Sequence, residues 1–397
     1  MKMDRNGPLK ILHVFRAPVG GLFRHVVDLV GEQFARGHRI GIVCDNLTGG
    51  DRASEVLAGL APRLSLGVSR VAMPRNPGPL DFAAFGHVNG RVAATAPDVV
   101  HGHGSKGGFY ARASALVPSA SRAVRAYTPH GGSFNYLPGS RIHAAYMTAE
   151  RLLARSTDVF LFESRYIANR FTQFVGVTRA LQQVVCNGVG EAELVPVAPD
   201  PGAADFIYIG ELRSVKGIDT MLRALAEVAL RTGRTPRTVL VGSGPDERRL
   251  REQALALGLS AHVTFTGVLP ARVAFAMGRT LVVPSRQESL PYVVLEAAAG
   301  RVPMISTNVG GIPEIFGPFA DRLISCDDVD RLADAMIADL AAVAANDPGR
   351  ARSAADVAAF VAKNFSMTRM GDAVIGGYRD ALALRPGARG ARLARVS

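Results

Sequence analysis

The chain has 397 residues, 48% hydrophobic and 20% charged, which suits two or three globular domains, each with its own core. Net charge is +12, and it is uneven: Met1 to Val195 carries 22 Lys and Arg against 13 acidic residues, and the remainder carries 24 against 21. No zinc-finger, helix-turn-helix or RNA-recognition pattern accompanies this excess, so nucleic acid is excluded as a partner and an anionic membrane surface is favoured.

Arginine outnumbers lysine 41 to 5, so a solvated surface written by a GC-rich genome explains the charge as well. The opening MKMDRNGPLK leads into a short apolar strand and then Arg16, which is no signal-peptide core, and no run of eighteen apolar residues follows. Cys44, Cys186 and Cys326 are too far apart for a metal pattern or a disulfide framework. A cytoplasmic protein, in solution or peripheral on the inner face of a membrane, is expected.

Apolar runs of four to seven residues alternate with amphipathic stretches, the pattern of βαβ units in open parallel sheets. The first half predicts strands at Ile11–Phe15, Ile40–Cys44, Val68–Met73, Val99–His101, Val124–Thr128, Val159–Phe162 and Gln183–Cys186, with helices such as Phe23–Ala35 and Phe82–Ala94 between them. APVGGLFRHVVDL puts Gly20 and Gly21 at the first strand-to-helix turn, where a missing side chain lets backbone approach a ligand, although a plain tight turn explains them equally. The pattern is not G-x-G-x-x-G, which argues against a dinucleotide site. DVVHGHGSKGG places His101 and His103 at a strand end. H-x-H without a second ligand cluster is not a metal site, so no metal is expected. His103 then reads as an acceptor-pocket or structural histidine, and Lys106 as a partner for an anionic acceptor. AYTPHGGSF carries His130 at a further strand end, before a glycine-rich loop.

VPVAPDPGAA, with three prolines in six residues, is a linker between a first domain at 1–195 and a second at 205–365. Strands are predicted at Phe206–Ile209, Thr238–Val241, Val263–Phe265, Leu281–Val283, Val302–Ile305 and Leu323–Ser325, and helices at Val329–Ala345, Arg350–Lys363 and Met367–Leu384. Two Rossmann-like halves facing a cleft follow. The tail at 385–397, with four arginines and no acid, reads as disordered. FIYIGELRSVKGID offers Arg213 and Lys216 to a diphosphate. VLVGSGPDE places Gly242 and Gly244 at a strand end, consistent with nucleotide packing or a simple turn.

The most informative stretch is TLVVPSRQESLPYVVLEAAAGRVPMISTNVGGIPEI, from Thr280 to Ile315. A helix opens near Pro291, with Ser289 the expected cap and Ser289 and Leu290 at the mouth of its free N–H groups, where an anion is the expected ligand. Glu288 and Glu296 would be unfavourable beside a phosphate unless they hold something else. One carboxylate on a ribose and one on a second sugar describes a nucleotide-sugar.

E-x7-E in this setting resembles the donor-site signature of the retaining family 4 glycosyltransferases of GT-B fold. The resemblance implies two Rossmann-like parallel-sheet domains with the last helix, 366–384, crossing back to the first, and retention at the anomeric carbon. It implies that the Gly20 and Gly21 loop contacts donor phosphate or acceptor, that His130 meets the transferred sugar, and that backbone at Gly267 and Val268 meets the base. Many members carry arginine directly after the first glycine of the second domain; here that position is Glu211, and Arg213 supplies the guanidinium instead. Gly310, Gly311 and Glu314 read as structural. With no Asp-x-Asp at a strand end, metal-independent transfer to a glycan or lipid-linked acceptor is expected, in cell-surface polysaccharide synthesis. The rivals are a GT-B nucleotide-sugar 2-epimerase, which needs no acceptor, a catalytically silent nucleotide-sugar-binding protein, and a nicotinamide-dependent dehydrogenase.

Overall fold

A computed structural model describes residues 7–117 and 122–385, so that most of the basic tail lies outside the described residues. These residues form two compact units, one from the chain up to Asn187 together with the segment from Met367, the other from Gly188 to Ser366.

The first unit runs β1 (Lys10–Phe15), α1 (Gly20–Ala35), β2 (Arg39–Asp45), α2 (Gly50–Leu60), β3 (Gly67–Val71), α3 (Leu80–Thr95), β4 (Val99–His103), α4 (Gly104–Ala113), β5 (Val124–Thr128), α5 (Arg141–Leu153), β6 (Val159–Phe162), α6 (Arg165–Phe174) and β7 (Leu181–Val184). Its seven parallel strands lie in the order β3-β2-β1-β4-β5-β6-β7. The second unit runs β8 (Ala204–Ile209), α7 (Ile218–Thr232), β9 (Thr238–Val241), α8 (Glu247–Ala256), β10 (Val263–Gly267), α9 (Ala271–Ala276), β11 (Gly278–Val283), α10 (Tyr292–Ala299), β12 (Met304–Ser306), α11 (Ile312–Phe316), α12 (Val329–Ala344) and α13 (Pro348–Asn364). Its five strands lie in the order β10-β9-β8-β11-β12. Helix α14 (Met367–Leu384) follows and packs on α1 of the first unit.

Both sheets are the doubly wound, Rossmann-like type that the alternation of strands and helices predicts. Three strand positions differ, one of them Val302–Ile305, which forms only from Met304 as β12. The segment expected at Gln183–Cys186 pairs two residues earlier, at Leu181–Val184, because Val159 sets its register opposite Leu181. No strand forms at Leu323–Ser325: β12 ends at Ser306, so only one bridge, Thr307 to Ile324, can follow it.

Period-two alternation sorts the central strands of the first unit into faces. Leu12, Val14 and Val100 turn to a core completed by Val88, Val92 and Tyr110, whereas Ile11, Val99, Val124 and Ala126 turn to one completed by Leu29, Val374 and Tyr378. Along that second face the strands change character toward their C-terminal ends. Ile11 is followed at two-residue spacing by His13, Val99 by His101 and His103, and Ala126 by Thr128, all of them buried. Helix α1 covers this layer with His25, Leu29 and Gln33, one stripe at a spacing of four, and α14 covers it with Met370, Val374 and Tyr378. The polar layer is therefore sealed by the same helices that bury the apolar one.

On the opposite face lies a buried ion pair. Arg112 Nη1 donates to Glu150 Oε2 over 2.7 Å, and its guanidinium sits 3.7 Å from the centre of the Tyr127 ring. Glu150 Oε1 accepts from Ser133 Oγ at 2.9 Å and from Tyr127 OH at 3.2 Å. Ser133 belongs to the loop that follows His130, so this network anchors that loop from below. Removing one partner of a buried pair leaves the other charge uncompensated. Glu150→Ala is therefore expected to cost about 3 to 5 kcal/mol in urea unfolding; a loss below about 1 kcal/mol would show that the pair is replaceable.

Candidate functional site

In the first unit, α1 begins at Gly20, whose φ of +63° is a left-handed value that glycine adopts without strain. Gly20 and Gly21 are exposed, a Cβ on Gly20 would meet nothing within 4 Å, and Val19 supplies no side-chain cap. Lys106, in the first turn of α4, is tied down: its Nζ lies 2.5 Å from Asp81 Oδ1 and 3.4 Å from the Asn76 carbonyl. Hydrogen bonds from Lys106 and Tyr110 hold the Asp81 carboxyl low despite the opposing effect of its burial.

His101 and His103 lie within β4, which extends two residues beyond its predicted end, and His13 is in register with His101. The sequence reading found no companions for these two histidines, and the structure supplies three: His13, His25 and His130 come from β1, α1 and the loop after β5. His13 Nδ1 is 2.9 Å from His103 Nε2, and His103 Nδ1 is 3.2 Å from His130 Nε2. His13 Nε2 meets Gln33 Oε1 at 2.9 Å, and His25 Nδ1 meets Asn187 Oδ1 at 3.0 Å. Burial favours neutral imidazole throughout. It pushes His13 and His25 down to about 4, and holds His101, His103 and His130 well below the usual value, neighbouring histidines adding to the effect.

Two triads, His13 with His101 and His103, and His25 with His103 and His130, bring ligand-type atoms within 4.8 Å of one another, a spacing that a transition metal can bridge. Hydrogen bonds between neutral rings account for the His13–His103 and His103–His130 distances without an ion.

His130 has φ +52°, a strained conformation for a non-glycine residue, and Gly131 and Gly132 follow with positive φ. Gly131 N donates to Glu163 Oε1 at 2.5 Å, and Ser133 is held by Glu150. Two buried carboxylates thereby hold the turn that presents His130.

In the second unit, the loops at the C-terminal ends of β8, β9 and β11 carry most of the remaining predicted residues. Lys216 ends a 3-10 turn, Ser214–Lys216, and its Nζ lies 2.6 Å from Glu288 Oε1. Ser285 Oγ donates to the same oxygen at 2.8 Å. Glu288 is 8% exposed and Lys216 25%, so the ammonium retains an open side. Gly217 is required where it stands: its φ is +67°, and a Cβ there would lie 1.9 Å from the Pro284 carbonyl. Gly310 is equally constrained, since a Cβ would lie 1.8 Å from the Glu288 carbonyl.

Arg213 faces Glu211 loosely, 3.5 Å from its Oε2, and is one-third exposed. Gly242 and Gly244 pack against the backbone of Gly210 and Leu212, which joins the loops after β8 and β9. Gly267, at φ +77°, has open space on its Cβ side, and Val268 beside it is 56% exposed. Glu296 is half-buried in the second turn of α10, with Leu290 buried and Ser289 half-buried ahead of it. Ser289 does not cap this helix. Pro291, extended at ψ 125°, is the N-cap and makes no side-chain bond, and Ser289 stands two residues too early. Gly311 precedes the five-residue α11, which contains Glu314.

Arg286 is the residue that motif reasoning missed. Its guanidinium spans Asp219, with both bonds at 2.8 Å, and Asp327, at 2.7 and 2.9 Å, and it also reaches Thr220 and the Ser214 carbonyl. Those hydrogen bonds, led by Asp219, raise its already high pKa. Arg286 thus fastens the Lys216 turn to the Glu288 loop from behind. The available signal was S-R-Q-E-S, two residues before Glu288, with an acid in V-K-G-I-D.

Solved proteins share this architecture. The chain matches sucrose-phosphate synthase from Thermosynechococcus elongatus over 96% of its own length and 100% of that chain, with a TM-score of 0.76 at 19% identity. It matches an Anabaena protein solved in complex with UDP and glucose over 92% and 98%, with a TM-score of 0.72 at 16% identity. The fold is GT-B. Residues 19–193 match the family model described as Glycosyltransferase Family 4, and residues 193–353 that described as Glycosyl transferases group 1; the chain belongs to this glycosyltransferase family. Among curated relatives, it is 32% identical to a GDP-mannose-dependent alpha-(1-6)-phosphatidylinositol monomannoside mannosyltransferase of Mycolicibacterium smegmatis, over 58% of this chain and 63% of that one. It is 26% identical to glycogen synthase of Mycobacterium tuberculosis, over 75% and 76%.

The neutral histidine layer has a consequence for stability. With folded pKa values near 4 against 6.5 unfolded, His13 and His25 contribute fully above pH 6.5 and progressively less as pH falls toward 4. Each is expected to cost about 2 kcal/mol between pH 7 and pH 5. Urea unfolding at pH 7, 6 and 5 measures the slope, and a flat profile would mean that these rings are not held neutral.

Proposed function

We propose that the protein transfers a sugar from a nucleotide-sugar to a hydroxyl acceptor, with retention and without a metal ion. The observation that carries this reading is Glu288, a nearly buried carboxylate held by Lys216 and Ser285, with Glu296 eight residues later on the helix that follows. A carboxylate desolvated at this cost, beside a cation with an open side, suits a polyhydroxy ligand carrying phosphate. In the step proposed, the bond between the anomeric carbon and the diphosphate oxygen breaks and its electron pair leaves with the nucleoside diphosphate. The acceptor oxygen bonds that carbon, and its proton passes to a donor phosphate oxygen. Lys216 and Arg213 take the growing negative charge, Glu288 and Glu296 orient sugar and ribose hydroxyls, and Ser289, Leu290, Gly244, Gly267 and Val268 line the nucleotide.

His130, set out from the first unit by a strained turn, is the group we assign to a substrate hydroxyl. His103 supports it, and Gly20 and Gly21 are assigned to phosphate or acceptor. A lipid-linked or glycan acceptor at the inner membrane face, in cell-surface polysaccharide synthesis, accords with the basic first half of the chain and with a relative named for a phosphatidylinositol mannoside. Among the described residues no helix is long and apolar enough to cross a membrane, so contact there would be peripheral.

Thermal shift without metal tests the donor site. One series among UDP-, GDP- and ADP-sugars is expected to raise the melting temperature while NAD(H) leaves it unchanged, and the reverse result would return the chain to the oxidoreductases. Lys216→Ala and Glu288→Ala are each expected to lower transfer at least about 100-fold, the scale of one lost charge-stabilising donor. Both variants should still fold, with a cooperative urea transition whose midpoint is lowered by the loss of the pair, and near-normal activity in either would remove the assignment. Transfer in excess EDTA should proceed undiminished; its loss would require a divalent ion.

A further inference from the structure

We infer that Gln33 and Tyr378 are positioning residues that fix the tautomer of His130 through a one-way chain of hydrogen bonds, presenting its Nδ1 to substrate as an acceptor. The inference deepens the reading that His130 meets a substrate hydroxyl and rests on it for its functional meaning.

The chain can be followed atom by atom. Gln33 Nε2 donates to Tyr378 OH at 3.4 Å, so the amide presents its oxygen, Oε1, to His13 Nε2 at 2.9 Å. An oxygen there accepts, so His13 carries its proton on Nε2 and its Nδ1 is a lone pair. His103 Nε2, 2.9 Å from that lone pair, must be the donor, which leaves His103 Nδ1 as the acceptor. His130 Nε2, 3.2 Å away, must then carry the proton of that ring. In a neutral imidazole the remaining nitrogen, Nδ1, is a lone pair. Among the described residues the only hydrogen bond of the His130 side chain is the one at Nε2, and the residue is half-buried.

The same amide orientation governs the other branch. Tyr378 OH accepts from Gln33 and so gives its own proton to His101 Nδ1 at 2.6 Å, and His101 Nε2–H donates to Thr128 Oγ1 at 2.9 Å. Burial keeps the phenol protonated and the imidazoles uncharged, so each junction has one donor and one acceptor. A buried chain of this kind keeps one direction throughout, because reversing a single ring places two donors or two lone pairs face to face, and only turning the Gln33 amide would reverse every junction together. The member with chemically distinct ends is the Gln33 amide, on α1, so its orientation sets the direction, and the Tyr378 hydroxyl, on α14, accepts from its Nε2 and passes the direction to His101. A neutral Nδ1 lone pair accepts a hydroxyl proton and cannot protonate a leaving group. His130 on this account orients a sugar or acceptor hydroxyl and is not a general acid.

Long-range 1H–15N correlation spectra of the full-length protein with 15N-labelled histidine, recorded at neutral pH, read the tautomers directly and require no catalysis. Neutral Nε2–H forms of His13, His101, His103 and His130 are expected. Nδ1–H forms of His13, His103 and His130, the set that a turned Gln33 amide would impose, would overturn the inference. In Tyr378→Phe the amide loses the partner that orients it. The His13, His103 and His130 signals should then show mixed tautomers, and kcat should fall about five-fold, corresponding to roughly 1 kcal/mol for one hydrogen bond, with KM for the donor unchanged. Parent-like tautomers and parent-like kcat in a folded Tyr378→Phe would overturn the positioning role, and if that variant does not fold, Gln33→Leu is judged by the same two readings. Because the spectra stand apart from activity, a protein with the expected tautomers but no transfer would count against the proposed function alone.

Discussion

Withdrawing an imidazole or a carboxylate from water costs free energy unless the protein returns each lost hydrogen bond, and this requirement governs both units at the ends of their strands. In the first unit, five histidines occupy a layer that simple packing would fill with valine and leucine. They are accommodated because α1 contributes Gln33, α14 contributes Tyr378, β5 contributes Thr128 and the end of β7 leads to Asn187, each within hydrogen-bond reach of a ring. The segment from Met367 is thus part of the first unit in an energetic sense: without Tyr378, a buried amide and a buried imidazole would each lose a partner.

The second unit meets the same requirement with charge. Glu288 is buried to 8% exposure, and Lys216 and Ser285 converge on one of its oxygens. That convergence depends on backbone. Gly217 passes against Pro284 and Gly310 against Glu288 at distances that exclude any side chain, and Arg286 binds Asp219 and Asp327 together beneath them. An aspartate at φ +57° in that cluster indicates that the charge network outweighs local conformational preference.

The sheets were legible because parallel strands buried on both faces read as short apolar runs, and ten of the thirteen expected strands overlap observed ones closely; Gln183–Cys186 shifted by two residues, Val302–Ile305 formed only from Met304, and Leu323–Ser325 formed no strand. The E-x7-E motif could be picked out because its residues lie in one contiguous stretch. The histidine layer was not, since His13, His25 and His130 come from three elements and only strand register places His13 opposite His101. H-x-H appeared to lack companions for that reason. The stripe His25, Leu29, Gln33 was present in the sequence at helical spacing, but a lone glutamine facing a sheet has no meaning until the strand beneath it is known to carry a histidine. Ser289 was misread for a local reason: proline can hold the N-cap position itself, and a serine two residues earlier cannot reach the first free N–H groups.

Electrostatics divides the labour between the two units. In the second, opposite charges meet at short range, where a phosphate-bearing ligand can compete for the cation. In the first, the buried groups around His130 are uncharged and are arranged by direction: each ring has one proton and one lone pair, so orientation passes along the chain without any group ionising. Charge stabilisation suits a leaving diphosphate, whose negative charge grows as the bond breaks, and directed neutral acceptors suit hydroxyls, whose charge changes little. A charged histidine at the same place would bring a cation into a buried layer, and the same burial that lowers the pKa values of His13 and His25 opposes it.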